Sequence, residues 1–270
     1  MIPFDRDAVL GILSASDTRL TAQAFIGEIA RSQGISPRKA KAVLAELVND
    51  GTLAYQDLYG ATYITESFSK PVRLTDRFWV SPPGMAPADQ PGNLNVEIVQ
   101  GISFGSGHHP TTRLCLRALD RLFFQSPDWA FPPDGYAGDI GTGSGILAIA
   151  ACLAGAGRCT AWEIDANALS EAGQNIRLNS LEDRISLING LMASSGRTLS
   201  LLCANLRAPT LDELAPMIGG AVVPDGRIVF SGIRPWETDR LTDTYQSQGF
   251  VPEWTKEEKN WAAVILRPAG

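Results

Sequence analysis

The sequence predicts an α/β protein whose main part, residues 101–270, is a doubly wound sheet preceded by a small α+β domain. Three observations predict this architecture. Strand-like and helix-like segments alternate from residue 135 onward, a glycine-rich turn joins the first of these strands to a helix, and residues 1–66 are a separate helix-rich stretch. We expect a domain over 1–66, a linker with an incoming strand over 67–100, and the α/β domain over 101–270.

Residues 1–66 carry the signals of helix, turn, helix and hairpin. One helical pattern covers 21–34, and a second covers 36–51, with Ser36 as N-cap and Pro37 at the first helical position. Two short strands around a glycine follow. This order resembles a winged helix, so we predict a winged-helix-like domain.

A winged helix can place its second helix in the major groove of DNA, here through residues 36–60. Arg38, Lys39 and Lys41 lie early on that helix. The alternative interpretation is a solvated helix face, and such domains also serve in protein docking and dimerisation. Nucleic acid is therefore kept only as a less favoured partner.

Composition limits the class of protein. The net charge of −6 does not favour a general nucleic-acid coat. The four cysteines lack C-x-x-C spacing, and no apolar run is long enough for a signal peptide or a membrane span. We predict reduced thiols, cytoplasmic localisation and no membrane partner.

The α/β domain is predicted element by element. Its strands and helices alternate and end in an antiparallel hairpin. We expect strands at 137–141, 159–165 and in "ISLIN", "LSLLCANL" and "RIVFSGI", helices at 145–157, 166–179, near 208–219 and near 236–248, and the hairpin over 250–268.

The stretch "DIGTGSG" (139–145) forms the strand-to-helix turn, where Gly141 and Gly143 allow close approach of a ligand. Glu163 follows 20 residues after Gly143 at the end of the next strand, where a carboxylate can bind ribose hydroxyls. The spacing fits neither a dinucleotide fingerprint nor a P-loop. A ligand with a ribose but no pyrophosphate fits better, and S-adenosylmethionine is the leading candidate.

The stretch "FGSGHHPTT" (104–112) holds both histidines of the chain. His108 and His109 are adjacent, so their side chains tend to point apart, and no other histidine can complete a metal site. We therefore predict no metal, and no phosphate loop because the required lysine is missing.

Longer motifs carry a family resemblance. "FGSGHHPTTRLCLRALD" resembles the F-G-T-G-x-H-P-T-T-x-x-C-L motif of the ribosomal protein L11 methyltransferase family. "DIGTGSGILAIAA" and "CANLRAPTLDELAP" are similar to its cofactor turn and to its A-N-I-L-x-x-P-L-x-x-L-x-P segment. The resemblance covers roughly 71–267.

The resemblance implies a class I methyltransferase fold, Rossmann-like with a seven-stranded sheet and a C-terminal antiparallel hairpin. It also implies S-adenosylmethionine as methyl donor and N-methylation of lysine or α-amino groups in a basic protein, such as a ribosomal protein. Two alternatives stay open: a small-molecule methyltransferase that dimerises through the winged helix, and a cofactor-sensing DNA-binding regulator.

The resemblance further implies the site. Glu163 would hold the ribose, Gly141 would pack against the amino-acid end of the cofactor, and Asn205 would sit beside the methyl group. Asn205 and His109 are the candidate catalytic residues, with a loop-stapling role as the alternative for His109. Residues 104–112 would form a lid-like loop. The candidate cofactor-binding residues are Phe104, Thr111, Thr112, Asp139, Gly141, Gly143, Gly145, Glu163, Ile164 and Asn205.

The chain also departs from the family pattern. Glu163 replaces an Asp, Ser106 replaces a Thr, and Arg207 stands where the family has an apolar residue. The strand before Asn205 lacks its usual first Asp. The largest departure is 1–66, because the ribosomal enzyme carries a ferredoxin-like domain there. We therefore expect the cofactor to be retained and the acceptor to be the variable part.

Overall fold

The structure is a computed structural model of the 270-residue chain. It describes residues 3–16, 18–58, 61–87, 90–99, 101, 104–105, 107, 109–192 and 198–270. The chain divides into two compact units, Met1–Lys70 and Pro71–Gly270. This division falls four residues after the domain boundary that we predicted at residue 66.

The first unit consists of three helices and a hairpin. Ser36 caps its third helix by accepting a hydrogen bond from the Lys39 N–H, with Pro37 in the first turn, and Gly34 ends the second helix in a left-handed conformation (φ 61°). The elements are α1 (Arg6–Ala15), α2 (Ala22–Gln33), α3 (Pro37–Asn49), β1 (Leu53–Leu58) and β2 (Ala61–Glu66).

Helix α1 is an element that the sequence reasoning missed. Val9 and Leu13 of this helix are buried in the same cluster as Phe25 and Leu44, so α1 completes the core of this unit. A single bridge between Thr21 and β2 extends the antiparallel β1–β2 pair. The winged-helix interpretation of these elements stays a prediction.

The second unit begins with three short strands where we expected a linker with one incoming strand. Residues 67–100 contain three short strands, of which the first pair is antiparallel and the second pair is parallel. The side-chain amide of Asn179 bonds to both the N–H and the C=O of Glu97, at 3.0 and 2.8 Å. These bonds tie the segment to the α/β domain, which is why a Pro- and Gly-rich stretch is still part of a folded unit.

The elements of the second unit follow one another in the predicted alternation. They are β3 (Val72–Arg73), β4 (Phe78–Ser81), β5 (Leu94–Glu97), α4 (Pro110–Phe124), β6 (Tyr136–Ile140), α5 (Ile146–Ala154), β7 (Arg158–Glu163), α6 (Ala166–Leu178), β8 (Ile185–Asn189), β9 (Leu199–Asn205), α7 (Ala208–Ala221), β10 (Val222–Ile233), α8 (Thr238–Gln246), β11 (Phe250–Glu258) and β12 (Trp261–Pro268).

Seven of these strands form one sheet in the order β11-β12-β10-β9-β6-β7-β8. Strands β6 to β10 are parallel, and β12 runs antiparallel to both β10 and β11. The predicted doubly wound sheet with a terminal hairpin is confirmed. The strand order reverses between β6 and β9, and a ligand crevice is expected at the carboxyl ends of the strands there.

The terminal hairpin closes with a tight turn. Lys259 and Asn260 both have positive φ, 49° and 61°, between the paired residues Glu258 and Trp261. This is the geometry that two-residue hairpin turns need to match the twist of the strands. It brings Trp261 to the end of β12 that lies beside the carboxyl end of β10.

The predicted lid-like loop over 104–112 is only partly a loop. Helix α4 begins at Pro110, so Thr111 and Thr112 lie in its first helical turn and are fully buried. Ser106 and His108 lie outside the described residues. The sequence reasoning placed no helix here, although Pro110 at a first helical position is a helix-start signal.

Two further features concern the sequence predictions. Cys115, Cys152, Cys159 and Cys203 are buried free thiols. Within the described part of the chain, no helix combines the length and the apolar character that crossing a bilayer requires.

Candidate active site

A cavity of about 590 Å³ opens at the carboxyl ends of β6, β7, β8 and β9, where the strand order reverses. Open α/β sheets bind their ligands at this position. The described residues that line it are Phe104, Ile140, Gly141, Gly143, Trp162, Glu163, Ile164, Asp165, Asn167, Ala168, Gly190, Leu191, Asn205, Leu206, Thr210, Glu213 and Leu214.

The glycine-rich turn forms the floor of this cavity. Gly141 and Gly143 have φ of 66° and 56°, which side chains other than glycine rarely adopt. A Cβ atom on Gly141 would lie 2.6 Å from Leu206, and one on Gly143 would lie 2.5 Å from the carbonyl oxygen of Phe104. The turn therefore requires glycine at both positions for reasons internal to the protein, before any ligand is considered.

Gly145 and Asp139 support the turn from behind and do not line the cavity. Gly145 is the N-cap of α5 with φ 85°, and its Cα faces Ala172. Asp139 is buried, and one of its carboxylate oxygens accepts hydrogen bonds from the Thr142 hydroxyl (2.5 Å) and the Ala148 N–H (3.2 Å). The other oxygen has no partner among the described residues.

Burial raises the pKa of Asp139 to about 6, although the bonds from Thr142 and Ala148 act in the opposite direction and the charge of Glu163 adds to the rise. A buried carboxylate with a raised pKa carries an energetic cost near neutral pH. We infer that this cost is accepted because the carboxylate fixes the conformation of the glycine turn.

Glu163 ends β7 at the rim of the cavity. One carboxylate oxygen accepts a hydrogen bond from the Gly143 N–H at 2.9 Å, and the other accepts from the N–H groups of Ile164 and Asp165 at 2.8 and 3.0 Å. The carboxylate is thus oriented by three backbone donors. The oxygen that accepts from Gly143 retains a lone pair that a ligand hydroxyl can use.

Apolar side chains stand exposed around the same rim. Ile164 is 67% exposed, Leu191 is 71% exposed and Phe104 is 51% exposed, and all three line the cavity. Exposed apolar groups that converge on a cavity indicate a ligand with an apolar or aromatic face. Together with the Glu163 carboxylate, they fit a nucleoside, whose base is flat and whose ribose carries hydroxyls.

The loop before α4 is fastened to the glycine turn. The Ser144 N–H donates to the Phe104 carbonyl, and the Ser144 hydroxyl donates to the Gly105 carbonyl, both at 2.9 Å. Asn175 adds a second fastening, because its side chain accepts from the Val99 N–H (2.9 Å) and donates to the Ser144 carbonyl (2.8 Å). Asn175 was not among the predicted residues, and its place in a helix pattern gave no signal.

His109 lies beside the cavity and is not among its described lining residues. It is the N-cap of α4, where its Nδ1 accepts from the Thr111 N–H (3.3 Å) and contacts the Thr111 hydroxyl (2.8 Å). Its ring lies 5.0 Å from the Phe104 ring and 4.9 Å from the Trp261 ring. Thr112 is buried, and its hydroxyl has no partner among the described residues.

Asn205 is the last residue of β9 and lines the cavity opposite Glu163. Its amide oxygen is buried and has no hydrogen-bond partner among the described residues. The next residue, Leu206, donates its N–H to the Ser231 carbonyl of β10 at 3.1 Å. An unpartnered amide oxygen in such a position is typical of a ligand-binding group.

Of the eleven predicted residues, six line the cavity and five are not among its described lining residues. The six lining residues are Phe104, Gly141, Gly143, Glu163, Ile164 and Asn205, and the five others are His109, Thr111, Thr112, Asp139 and Gly145. Sequence reasoning missed Gly190 and Leu191, which directly follow β8, and Thr210 and Glu213 on α7. Within the described part of the chain, no group of three or more His, Cys, Asp or Glu side chains is arranged to hold a metal ion.

Comparison of the chain with known proteins identifies its family. The family model described as ribosomal protein L11 methyltransferase (PrmA) matches residues 53–268. Among curated relatives, the ribosomal protein L11 methyltransferases of Alkalilimnicola ehrlichii and Geotalea daltonii are 38% and 33% identical over 71% and 74% of this chain. The chain spans 62% and 65% of the length of these two relatives.

A solved structure extends the likeness to the fold. The ribosomal protein L11 methylase of Lactobacillus delbrueckii subsp. bulgaricus superposes with a TM-score of 0.65 and 25% identity, covering 74% of this chain and all of the other. The second unit therefore has the class I methyltransferase fold that the resemblance implied. S-adenosylmethionine, the cofactor expected from the sequence, agrees with these relationships and with the nucleoside features of the cavity. The chain belongs to the ribosomal protein L11 methyltransferase family.

Proposed function

We propose that the protein is an S-adenosylmethionine-dependent N-methyltransferase that acts on lysine or α-amino groups of a ribosomal protein or another basic protein. The single observation that carries this proposal is one cavity that combines a nucleoside half, at Glu163, Ile164 and Leu191, with the unpartnered amide oxygen of Asn205. The relatives are named for methylation of ribosomal protein L11, which supports a protein acceptor.

Each half of the cavity has a role in this proposal. The Glu163 carboxylate accepts hydrogen bonds from the ribose hydroxyls, and the exposed side chains of Ile164 and Leu191 cover the base. Gly141 and Gly143 let the backbone approach the cofactor closely. Thr112 has a buried hydroxyl without a partner among the described residues, and we assign it, with Phe104, to the methionine part.

When bound, the cofactor supplies a methyl group on a sulfonium, which is transferred by in-line displacement. The chain's own residues align the acceptor and exclude water. A lysine amine, with an ordinary pKa of about 10.4, must be neutral to react, and a dry cavity lowers that value. The Asn205 amide oxygen accepts a hydrogen bond from the amine and directs its lone pair, so no strong general base is needed.

His109 is best assigned to holding the loop. As N-cap of α4 it accepts a bond from the Thr111 N–H, and its ring packs between Phe104 and Trp261. A direct catalytic role for His109, also considered from the sequence, has less support because the described lining of the cavity does not include it.

We assign the first unit to acceptor selection, since every proposed cofactor residue lies in the second. Neither alternative function gains support: the match to a protein-methyltransferase family favours a catalytic domain acting on protein over a small-molecule enzyme or a cofactor-sensing regulator. A cytoplasmic location is part of the same proposal, because ribosomal proteins are methylated where ribosomes are made and used.

The test is transfer of a labelled methyl group from S-adenosylmethionine to purified ribosomal protein L11, with all proteins of a cell extract as a second acceptor pool. We expect labelling by the wild type, and a loss of about 100-fold in rate for Asn205→Ala with the cofactor dissociation constant changed by less than about threefold. Gln246→Ala, which removes an amide at an exposed position of α8 outside the cavity, serves as the control. Absence of labelled protein from both pools would refute the proposal.

A further inference from the structure

An exposed tryptophan stands beyond the carboxyl end of β10. Trp236 is 69% exposed, although the short helical turn Pro235–Glu237 that carries it is well ordered by hydrogen bonds. The Arg234 N–H donates to the Glu237 carboxylate at 2.7 Å, and the Glu237 N–H donates to the Arg234 carbonyl at 3.0 Å. A fixed turn therefore holds a large apolar side chain in solvent.

Arg234 joins this tryptophan to the rest of the site. Its guanidinium carbon lies 3.6 Å from the centre of the Trp261 ring and 5.9 Å from that of Trp236. One of its nitrogens donates to the Asn260 carbonyl at 3.0 Å, and its other guanidinium N–H groups have no partner among the described residues. The guanidinium is thus positioned by stacking and still able to donate hydrogen bonds.

The stacked groups continue to the cavity. Trp261 meets the His109 ring, His109 meets the Phe104 ring, and Phe104 lines the cavity. Independently, a Cβ atom on Gly232 would lie 2.3 Å from the Leu206 carbonyl oxygen, so the end of β10 lies against the residue that follows Asn205. The exposed Trp236 and the half-buried Arg234 are therefore continuous with the Asn205 side of the cavity.

The charges near Trp236 and Arg234 indicate which chemical groups this surface can bind. Arg207 follows β9 as the exposed N-cap residue of α7 and has no partner among the described residues. With Arg234 it places two cations on the Asn205 side, whereas Glu163, Asp165 and Glu213 line the cavity. A carboxylate or a row of main-chain carbonyls suits the two arginines, and an apolar side chain suits the indole of Trp236.

We propose that Trp236 and Arg234 bind the acceptor protein itself, through an extended segment next to the nitrogen that is methylated. This inference rests on the proposed function and deepens it. The segment places an apolar side chain on Trp236 and a carboxylate or main-chain carbonyl on the Arg234 guanidinium, while its amine reaches Asn205. These two residues then determine which acceptor is used and leave cofactor binding untouched.

The test separates acceptor binding from cofactor binding in the full-length protein. For Trp236→Ala, the acceptor KM should rise about tenfold or more, because buried aromatic contacts dominate interface energies, with kcat and the cofactor dissociation constant changed by less than about threefold. Trp236→Phe should recover most of the loss. Arg234→Gln should raise the acceptor KM as well, and Met85→Ala, at another exposed apolar position, should change nothing.

Two outcomes would overturn the inference. One is an acceptor KM for Trp236→Ala within about twofold of the wild type. The other is a parallel loss of cofactor affinity, which would make Trp236 a structural residue of the cavity. If the wild type transfers label neither to purified ribosomal protein L11 nor to any protein of the extract, the proposed function fails. Equal labelling by the wild type and the Trp236→Ala variant is a different result, which contradicts only the inference about Trp236.

Discussion

The two units of this protein differ in where their polar groups are directed. In Met1–Lys70, the helices pack on an apolar cluster. None of the described residues of this unit lines the cavity. In Pro71–Gly270, buried polar groups converge on one end of the sheet, among them Asp139, Asn175 and the amide of Asn205. Our proposal assigns the chemistry to the second unit, and the family match covers all but the last two residues of that unit.

The difference shows which part of the chain follows the family most fully. The fold and cavity of the second unit agree with the family, while the family match reaches only the hairpin of the first unit. Function separates in the same way in our proposal: cofactor binding belongs to the second unit, and acceptor choice belongs to the first unit together with Trp236 and Arg234.

The largest effect is expected from a glycine-to-valine substitution in the second unit, with the same substitution in the first unit as its control. Gly143→Val should lower cofactor affinity by at least about 100-fold, because a branched side chain is strained at φ 56° and its Cβ meets the Phe104 carbonyl. Because this carbonyl belongs to the loop before α4, we expect the substitution to displace that loop. Gly27→Val, in α2 with open space around it, should leave affinity unchanged. Calorimetry with S-adenosylmethionine measures both, and normal affinity for Gly143→Val would contradict the placement.

Removal of the first unit should have the next largest effect, and only on the acceptor. A chain of residues 71–270 retains the whole seven-stranded sheet and the cavity, so its cofactor affinity should stay within about threefold of the full chain. Methylation of the native acceptor should fall at least about tenfold, because docking energy is lost. Equal acceptor methylation by both chains would show that the first unit does not select the substrate.

Glu163 gives a graded test within the second unit. Glu163→Ala removes a carboxylate that can make charge-assisted bonds worth about 1.5–3 kcal/mol each, so cofactor affinity should fall at least about tenfold. Glu163→Asp, which restores the residue of the family pattern, should change affinity by less than about threefold. If the alanine variant also stays within that limit, the ribose is held elsewhere.

The last prediction concerns stability and not binding: the free energy of unfolding should depend on pH with opposite signs in the two units. Burial raises the pKa of Asp139 from 3.8 to about 6, so the folded state binds this proton more tightly than the unfolded state. The resulting penalty is present above pH 6 and is relieved as the pH falls from 6 to 4. For Asp50, burial acts to raise the pKa, but hydrogen bonds from Thr52 and Arg6 lower it overall, so its contribution to stability is lost on acidification.

This pH dependence can be measured for the second unit alone, because all six tryptophans lie beyond residue 78. Urea unfolding followed by tryptophan fluorescence should show the wild type gaining up to about 3 kcal/mol relative to Asp139→Asn between pH 7 and pH 4. Groups common to both proteins cancel in this difference. A constant difference across the pH range would mean that Asp139 does not titrate there.

Local signals explain what the sequence could predict. The glycine turn, Glu163 and the helix starts at Ser36 and Pro37 each depend on a few adjacent residues, and the strand–helix alternation predicted the order of the sheet elements. Helix α1 escaped notice because it has only ten residues and Gly11, a poor helix former, interrupts its apolar run. Only one incoming strand was predicted within 67–100, where the structure has three, because the surrounding prolines and glycines indicate loops.

The rest of the site could not be read from the chain because it is assembled from distant segments. Leu191 and Glu213 reach the cavity only because β8 and β9 end at the same edge of the sheet. Thr111 and Thr112 belong to a motif that points to the family but does not specify the backbone conformation. A loop was therefore predicted where helix α4 begins. The role of Asn175 could not be predicted either, because its hydrogen-bond partners, Val99 and Ser144, come close to it only in the folded chain.

Asn175 also has a consequence for the order of folding. Its bonds to Val99 and Ser144 close chain segments of 76 and 31 residues, and such long-range contacts form only after much chain entropy has been lost. The strand pairs that flank the cavity are closer in sequence than Asn175 is to Val99: Asp139 pairs with Ala161, 22 residues on, and with Cys203, 64 residues on. We therefore expect the loop that bears Phe104 to reach its place late, after α6 has docked on the sheet, so that a newly made chain gains its sheet before it gains a complete site.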